Sequence, residues 1–189
     1  MALTGILLAA GRGRRFDPSG VENKLLQTMA DGEIVVAASA KNMLAVLPRV
    51  VAVVREGDDK VAALLGRLGC EVRVCATADM GMAESLTTAI EHTKGAEGWL
   101  VGLGDMPRVR PDTMRALVAT IERGARIAAP VFEGRRGNPV AFSAYHLPLL
   151  LALEGDQGAR AILKSHAVSE VVVDDEGVVR DIDTKQDLI

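Results

Sequence analysis

Short apolar runs alternate along the chain with segments whose apolar residues recur every three or four positions. A run of period two or of continuous apolar character predicts a strand, and a 3.6-residue period predicts a helix. Strands are expected at Leu3–Ala9, Arg49–Val54, Glu71–Cys75, Gly98–Leu103, Arg126–Pro130, Pro139–Ser143 and Val171–Val173. Helices are expected at Ile34–Leu47, Asp58–Leu68, Ala83–Thr93, Pro111–Glu122, Tyr145–Leu153 and Ala159–Ser165. The first half reads as successive βαβ units, the pattern of a mostly parallel sheet covered by helices on both faces. From Arg126 onward the pattern loosens. The polar turn Glu133-Gly134-Arg135-Arg136-Gly137 between two strand-like runs predicts a hairpin, and with it a small antiparallel insertion.

The chain has 189 residues, which suits one α/β domain spanning 1–189 with a core that needs no disulfide or metal staple. Hydrophobic residues make up 49% and charged residues 25%, the composition of a packed globular protein. The net charge is −3, so no overall positive field exists to hold a nucleic-acid backbone, and any phosphate site must be local. The expectation is therefore no nucleic-acid partner. Cys70 and Cys75 stand five apart in a strand-like run, which puts them roughly 16 Å apart on opposite faces. That spacing excludes a disulfide and agrees with a reducing cytoplasm. The apolar start lacks a basic leader and runs into Arg12, Arg14 and Arg15, so it reads as a first strand. No run approaches the length that spans a bilayer, and no membrane partner is expected.

Three segments carry chemistry. The first is Leu7-Leu8-Ala9-Ala10-Gly11-Arg12-Gly13-Arg14-Arg15-Phe16, followed by Glu22-Asn23-Lys24. A strand ending in small residues lets backbone approach a ligand closely, and the loop N–H groups, the arginines and Lys24 can then hold phosphate oxygens. A dinucleotide-binding glycine turn is excluded because Phe16 takes the third glycine position and Pro18 interrupts the helix that should follow. A P-loop is excluded because no Gly-Lys-Ser/Thr closes the glycine run. The second segment is Gly102-Leu103-Gly104-Asp105-Met106-Pro107, where a carboxylate stands just past an apolar strand. Ligands of open α/β sheets bind there, and magnesium takes carboxylate and phosphate oxygens. The simpler reading makes Asp105 a turn residue before Pro107. The third is Asp181-Ile182-Asp183-Thr184, whose alternation places Asp181 and Asp183 on one face, either at one site or along a solvated edge.

Taken together the sequence resembles the MobA-like nucleotidyltransferases, and within them the molybdenum cofactor cytidylyltransferases. Six segments carry the resemblance: Leu8-Ala9-Ala10-Gly11 with Arg15 and Lys24, Gly81-Met82 with Ser85-Leu86, Gly104-Asp105-Met106-Pro107, Gly137-Asn138-Pro139-Val140, Gly155-Asp156-Gln157-Gly158-Ala159-Arg160 and Asp181-Ile182-Asp183-Thr184. The resemblance implies a Rossmann-like α/β/α sandwich of the nucleotide-diphospho-sugar transferase type. It implies that Arg15 and Lys24 meet the triphosphate, that Asp105 and Asp183 hold Mg2+, and that Arg15, Lys24 and Asp105 are catalytic. Leu8, Ala9, Ala10, Gly11, Gly13, Gly81, Ser85 and Gly104 are the further nucleotide-binding candidates, with the Ala-Ala-Gly turn associated with cytosine rather than guanine. CTP is then the favoured triphosphate, a molybdopterin-type phosphate the acceptor, and a molybdenum hydroxylase the recipient of the product. The sequence departs from the family where Asp17 stands in place of Gly, where the loop to Lys24 is longer, and where Gly137-Asn138-Pro139 replaces Gly-His-Pro.

The expected reaction is in-line attack of an acceptor phosphate on the α-phosphorus with release of pyrophosphate. Three alternatives remain open: a sugar- or alditol-phosphate nucleotidyltransferase, a GTP-using molybdopterin guanylyltransferase, and a noncatalytic protein that delivers cofactor. Trp99 reads as core. His92, His146 and Ser143 lack partners at metal or triad spacing and read as surface or capping residues, and Met80, Met82 and Met106 read as gap fillers.

Overall fold

In a computed structural model, which describes residues 2–156 and 158–189, the strands are β1 (Thr4–Ala9), β2 (Val50–Arg55), β3 (Glu71–Cys75), β4 (Gly98–Leu103), β5 (Ile127–Phe132), β6 (Arg135–Arg136), β7 (Val140–Ser143) and β8 (Ser169–Val172). The helices are α1 (Val35–Leu44), α2 (Asp59–Leu68), α3 (Met82–His92), α4 (Pro111–Glu122), α5 (Leu147–Leu151) and α6 (Arg160–Ser165). Met1, and Gln157 of the fifth family segment, lie outside the described residues.

β3, β2, β1 and β4 lie side by side and parallel. Their near-continuous apolar runs follow from helices on both faces, because each strand is covered twice. β7 then inserts antiparallel between β4 and β5. Ala128 pairs with both Ala141 and Ser169, and Val131 with both Arg136 and Val172, so β6 and β7 share one edge of β5 while β8 takes the other. β5 and β6 are joined by Glu133 and Gly134, both at positive φ, the geometry of a tight hairpin. The expected α/β/α sandwich with an antiparallel insertion is the observed fold.

Alternation within the strands divides the core into two layers. Leu7, Ala9, Ala52 and Val54 face Val35, Ala40 and Met43 of α1, Val61 and Leu65 of α2 and Leu117 of α4. Ile6, Val51, Val53 and Val101 face Leu86 and Ile90 of α3, Leu150 of α5 and Ile162 of α6. Cys70 falls in the first layer and Cys75 in the second, and both are free thiols. α2 shows how local sequence sets a boundary: Val61, Leu64, Leu65 and Leu68 form its apolar stripe, and Gly69 at φ 104° turns the chain so that Cys70 N donates to the Leu65 carbonyl. The expected helix Tyr145–Leu153 is shorter, because Ala144–His146 winds as a 3₁₀ turn before α5.

Trp99 is fully buried, as expected, and its indole N–H donates to Thr93 Oγ1 at 2.9 Å. His146 corrects the surface reading: it is buried, stacked edge-on against Phe142, Tyr145 and His166, and burial pushes its pKa below the usual range. A histidine without sequence partners was filled in by aromatic packing that no spacing shows. No helix among the described residues is long and apolar enough to cross a membrane.

After β8 the chain crosses back over the first layer as a strap through the 3₁₀ turn Glu176–Val179 to Ile182, both Val178 and Ile182 being fully buried. The strap meets Gly137 so closely that a Cβ there would stand 2.1 Å from the Val178 carbonyl oxygen. Gly137→Ala is therefore expected to cost about 3 kcal/mol in urea unfolding, the upper range for overpacking, because backbone must move. Gly134→Ala, where φ is 75° but nothing lies within 4 Å, should cost only about 1 kcal/mol.

Candidate nucleotide and metal site

The carboxyl ends of β1 and β4 open into a cavity of about 490 Å³. Leu8, Ala9, Ala10, Gly11 and Gly13 form one wall, Lys24 and Asp105 the floor at one end, and Gly81 and Ser85 at the start of α3 the other wall. Nine of the predicted residues are thus brought together. Arg15, Gly104 and Asp183 are not in the lining. Gly104 sits behind it, its N–H donating to the Leu8 carbonyl at 2.8 Å and its own carbonyl accepting from the buried Ser39 hydroxyl at 2.9 Å. These two bonds fasten the end of β4 to β1 and α1, so that Asp105 is presented from a rigid base.

The loop between β1 and α1 is organised by its departures from the family pattern. Asp17 accepts from Ser19 N, Ser19 Oγ and Glu22 N, and these donors hold its pKa down to about 2. Buried Phe16 and Leu25 anchor the two ends of the loop. Asn23 caps the 3₁₀ turn Lys24–Leu26 by accepting from Leu25 N, and that turn aims Lys24 inward. Its ammonium lies 2.7 Å from Asp105 Oδ2 and 3.5 Å from Asp183 Oδ1, with the side chain only 10% exposed. Arg15 is mostly exposed and reaches Asp183 at 2.5 Å.

Asp181 was left open between a site and a solvated edge. It belongs to the site: one carboxylate oxygen from each of Asp105, Asp181 and Asp183 falls within 4.8 Å of the others. No strand forms there, so the convergence comes from the strap and not from sheet alternation. Burial, then the charges of Asp183 and Asp105, raise the pKa of Asp181. Three hard oxygen donors fit a Mg2+- or Mn2+-type ion, and the ammonium of Lys24 among them marks where positive charge is required.

The lining also takes in Arg12, one of the loop arginines expected to meet phosphate, and, among residues given no such role by the sequence, Asp79, Met82 and Asp156. Arg12 forks onto Asp79 across the cavity, joining the glycine-rich loop to the turn before α3. Only the fold brings them together, across 67 residues, and no local spacing signals it. Met82, read as a gap filler, is instead half exposed at the mouth. Asp156 stood in a family segment without an assigned role. Its neighbour Gly155 accepts from Ala83 N at 3.1 Å, and a Cβ on Gly81 would stand 2.4 Å from the Gly155 oxygen, so the 155–156 loop rests directly on the start of α3. A second cavity of about 210 Å³ adjoins the first beyond Met82 and Asp156. Its walls are Leu86, Val101, Val140, Phe142 and Leu163, with Asn138, Asp156 and Arg160 as its polar groups.

The chain belongs to the MobA-like NTP transferase domain family, which matches residues 5–171, and it is a nucleotidyltransferase of that family. It is 29% identical over 198 residues to the purine catabolism protein PucB of Bacillus subtilis, covering 98% of this chain and 93% of PucB. It is 27% identical to Rv0371c of Mycobacterium tuberculosis, with a TM-score of 0.84 over 99% of this chain and 96% of that one. The same Mycobacterium tuberculosis protein in complex with manganese gives 27% identity and a TM-score of 0.79, again over 99% and 96%.

A triphosphate bound in this cavity would compete with Asp79 for the Arg12 guanidinium. Asp79→Ala removes that competitor and one negative charge from the cavity, so triphosphate should bind about 2- to 5-fold tighter, the range of an exposed ion pair. Arg12→Ala should weaken binding by at least a similar factor in calorimetric titration, and the double variant should bind more tightly than Arg12→Ala, because it no longer carries an unpaired Asp79.

Proposed function

We propose that this chain transfers CMP from CTP to the phosphate of a molybdopterin-type acceptor, with Mg2+ and with release of pyrophosphate. The observation that carries the reading is the convergence of Lys24, Asp105 and Asp183 at one end of a cavity walled by Ala10, Gly11 and Ser85. The acceptor phosphate oxygen forms a bond to the α-phosphorus as the α–β bridging bond breaks, and pyrophosphate leaves with the electron pair. No proton transfer is needed. Both reactants are anionic, so catalysis rests on positioning and charge neutralisation. When bound, Mg2+ on Asp105 and Asp183 would neutralise phosphate oxygens; the manganese complex of Rv0371c supports a divalent ion in this reading. Lys24, held inward by its cap and its carboxylate partners, supplies a compact cation next to the transferring group, and Arg15 a second one at the rim.

The Ala9-Ala10-Gly11 turn stands in the cavity wall, and its association with cytosine in the family it resembles supports a pyrimidine over a purine. The second cavity is the proposed seat of the acceptor's body. Its apolar walls with three polar groups favour a flat ring system over the polyol chain of a sugar or alditol phosphate. A molybdenum hydroxylase would receive the product.

Incubation with CTP or GTP, magnesium and molybdopterin, read by pyrophosphate release, tests the reading. CTP is expected to win in competition, and release driven better by GTP or by an alditol phosphate would replace it. Asp105→Asn should lower turnover at least about 100-fold, as loss of a major electrostatic group does. Lys24→Ala should lower kcat and kcat/KM together with a smaller change in KM, because its contact strengthens as charge develops. Lys41→Ala, whose lysine pairs with Glu33 on the surface, should be nearly neutral. A change confined to KM would make Lys24 a ground-state binding residue only.

A further inference from the structure

Among the described residues Asp175 is the one fully buried carboxylate, and it lies outside both cavities. Oδ2 accepts from Arg110 N at 2.9 Å and from the Thr113 hydroxyl at 2.6 Å, while Oδ1 accepts from Gly177 N at 3.1 Å. Arg110 is the N-cap position of α4 and its own side chain makes no capping bond. Asp175 therefore caps α4 from a distance of 65 residues, where the exposed N–H groups and the helix dipole favour a carboxylate. Arg110 Nε also faces Oδ1 at 3.7 Å, and a buried charge met in this way is by itself weak evidence of a gain in stability, since an apolar replacement of similar volume is often neutral or better.

The geometry around it suggests what the charge is for. The loop from Asp105 to Arg110 joins β4 to α4, and the strap from Asp175 to Ile182 runs beside it. At one end Asp175 holds Arg110. At the other, Ile182 N donates to the Asp105 carbonyl at 2.8 Å. Between them a Cβ on Gly177 would stand 2.2 Å from the Arg108 carbonyl oxygen, so the two backbones touch. Asp105 and the Asp181–Asp183 pair are carried on these two segments and their ends, neither of which belongs to the sheet or to an α-helix, the strap's one regular element being the 3₁₀ turn Glu176–Val179. On its far side the strap accepts a bond from Asn138 N at Val178 O, 2.8 Å, and Asn138 lines the second cavity.

We propose that Asp175 is a positioning residue for the three-carboxylate cluster: by capping α4 it fixes the strap against the 105–110 loop and so sets the affinity of Asp105, Asp181 and Asp183 for a divalent ion. The proposal rests on the metal reading of that cluster.

The test is Mn2+ binding to the nucleotide-free protein, followed by the loss of the free-ion paramagnetic resonance signal, with each variant shown folded by circular dichroism. Asp175→Ala is expected to raise the Mn2+ dissociation constant about tenfold. Asp175→Asn, which keeps an acceptor oxygen, should recover part of it. Thr113→Val removes one donor without stranding a charge and guards against misfolding of the first variant; it should shift the constant in the same direction by about 2- to 3-fold. Metal-free CTP binding should be unchanged in all three. Trp99→Phe, a destabilising change in the opposite core layer, should leave Mn2+ affinity as in the wild type. Variants with lowered melting temperature but wild-type Mn2+ affinity would reduce Asp175 to a structural cap and overturn the proposal. Wild-type protein that takes up no Mn2+ would overturn the metal reading itself, and the positioning role with it.

Discussion

A buried ammonium is tolerated only beside negative charge, and Lys24 meets that condition through carboxylates drawn from two distant parts of the chain. Asp105 comes from the end of a central strand. Asp183 comes from a strap that returns across the molecule after the last strand. Lys24 itself hangs from a capped 3₁₀ turn in the glycine-rich loop. The cluster therefore exists only when the sheet, the strap and the loop are all in place, and completion of the fold and assembly of the site are the same event.

The sheet supplies the rigidity this needs. Parallel strands covered on both faces have little freedom to slide, because a shift of one residue would exchange the two core layers. β1 and β4 pair from Thr4↔Trp99 to Leu8↔Leu103, so the glycine-rich loop and Asp105 leave neighbouring strands at the same level. The Gly104–Leu8 and Ser39–Gly104 bonds continue that registration one residue beyond the sheet. The antiparallel β7 has a different use: its approach through Gly137 and Asn138 gives the strap a backbone partner, and it carries the wall of the second cavity.

Elements whose signal is local were legible in the sequence. The apolar runs of β1, β2 and β4 and the stripe of α2 are written in adjacent residues, and so is the Glu133-Gly134 turn. The cavity wall from Leu8 to Gly13 could be placed because small residues after a strand have few other uses. What escaped was nonlocal. Asp183 was set beside Asp105 by the resemblance alone, and the place of Asp181 stayed open, because their meeting depends on a bond between Ile182 and Asp105 that no pattern within 180–184 encodes. Arg12 and Asp79 meet across the cavity by topology, and His146 is packed edge-on by His166 from beyond α6 as well as by its near neighbours Phe142 and Tyr145. Arg15 and Lys24 were paired as equal phosphate cations on sequence, yet the fold separates them into an exposed rim residue and a buried one.

That separation has chemical weight. A guanidinium is weakly hydrated, planar and at home at a mobile rim where it can follow a polyphosphate, whereas a compact ammonium concentrates its charge on one point. At one end of the cavity, with its side chain buried and its position fixed by Asp105, that point charge acts at reduced dielectric and with little reorganisation. At the rim the same charge is largely screened. In the proposed reaction the arginines would then serve capture and Lys24 stabilisation of the transferring group, a division that rests on burial and not on residue type alone.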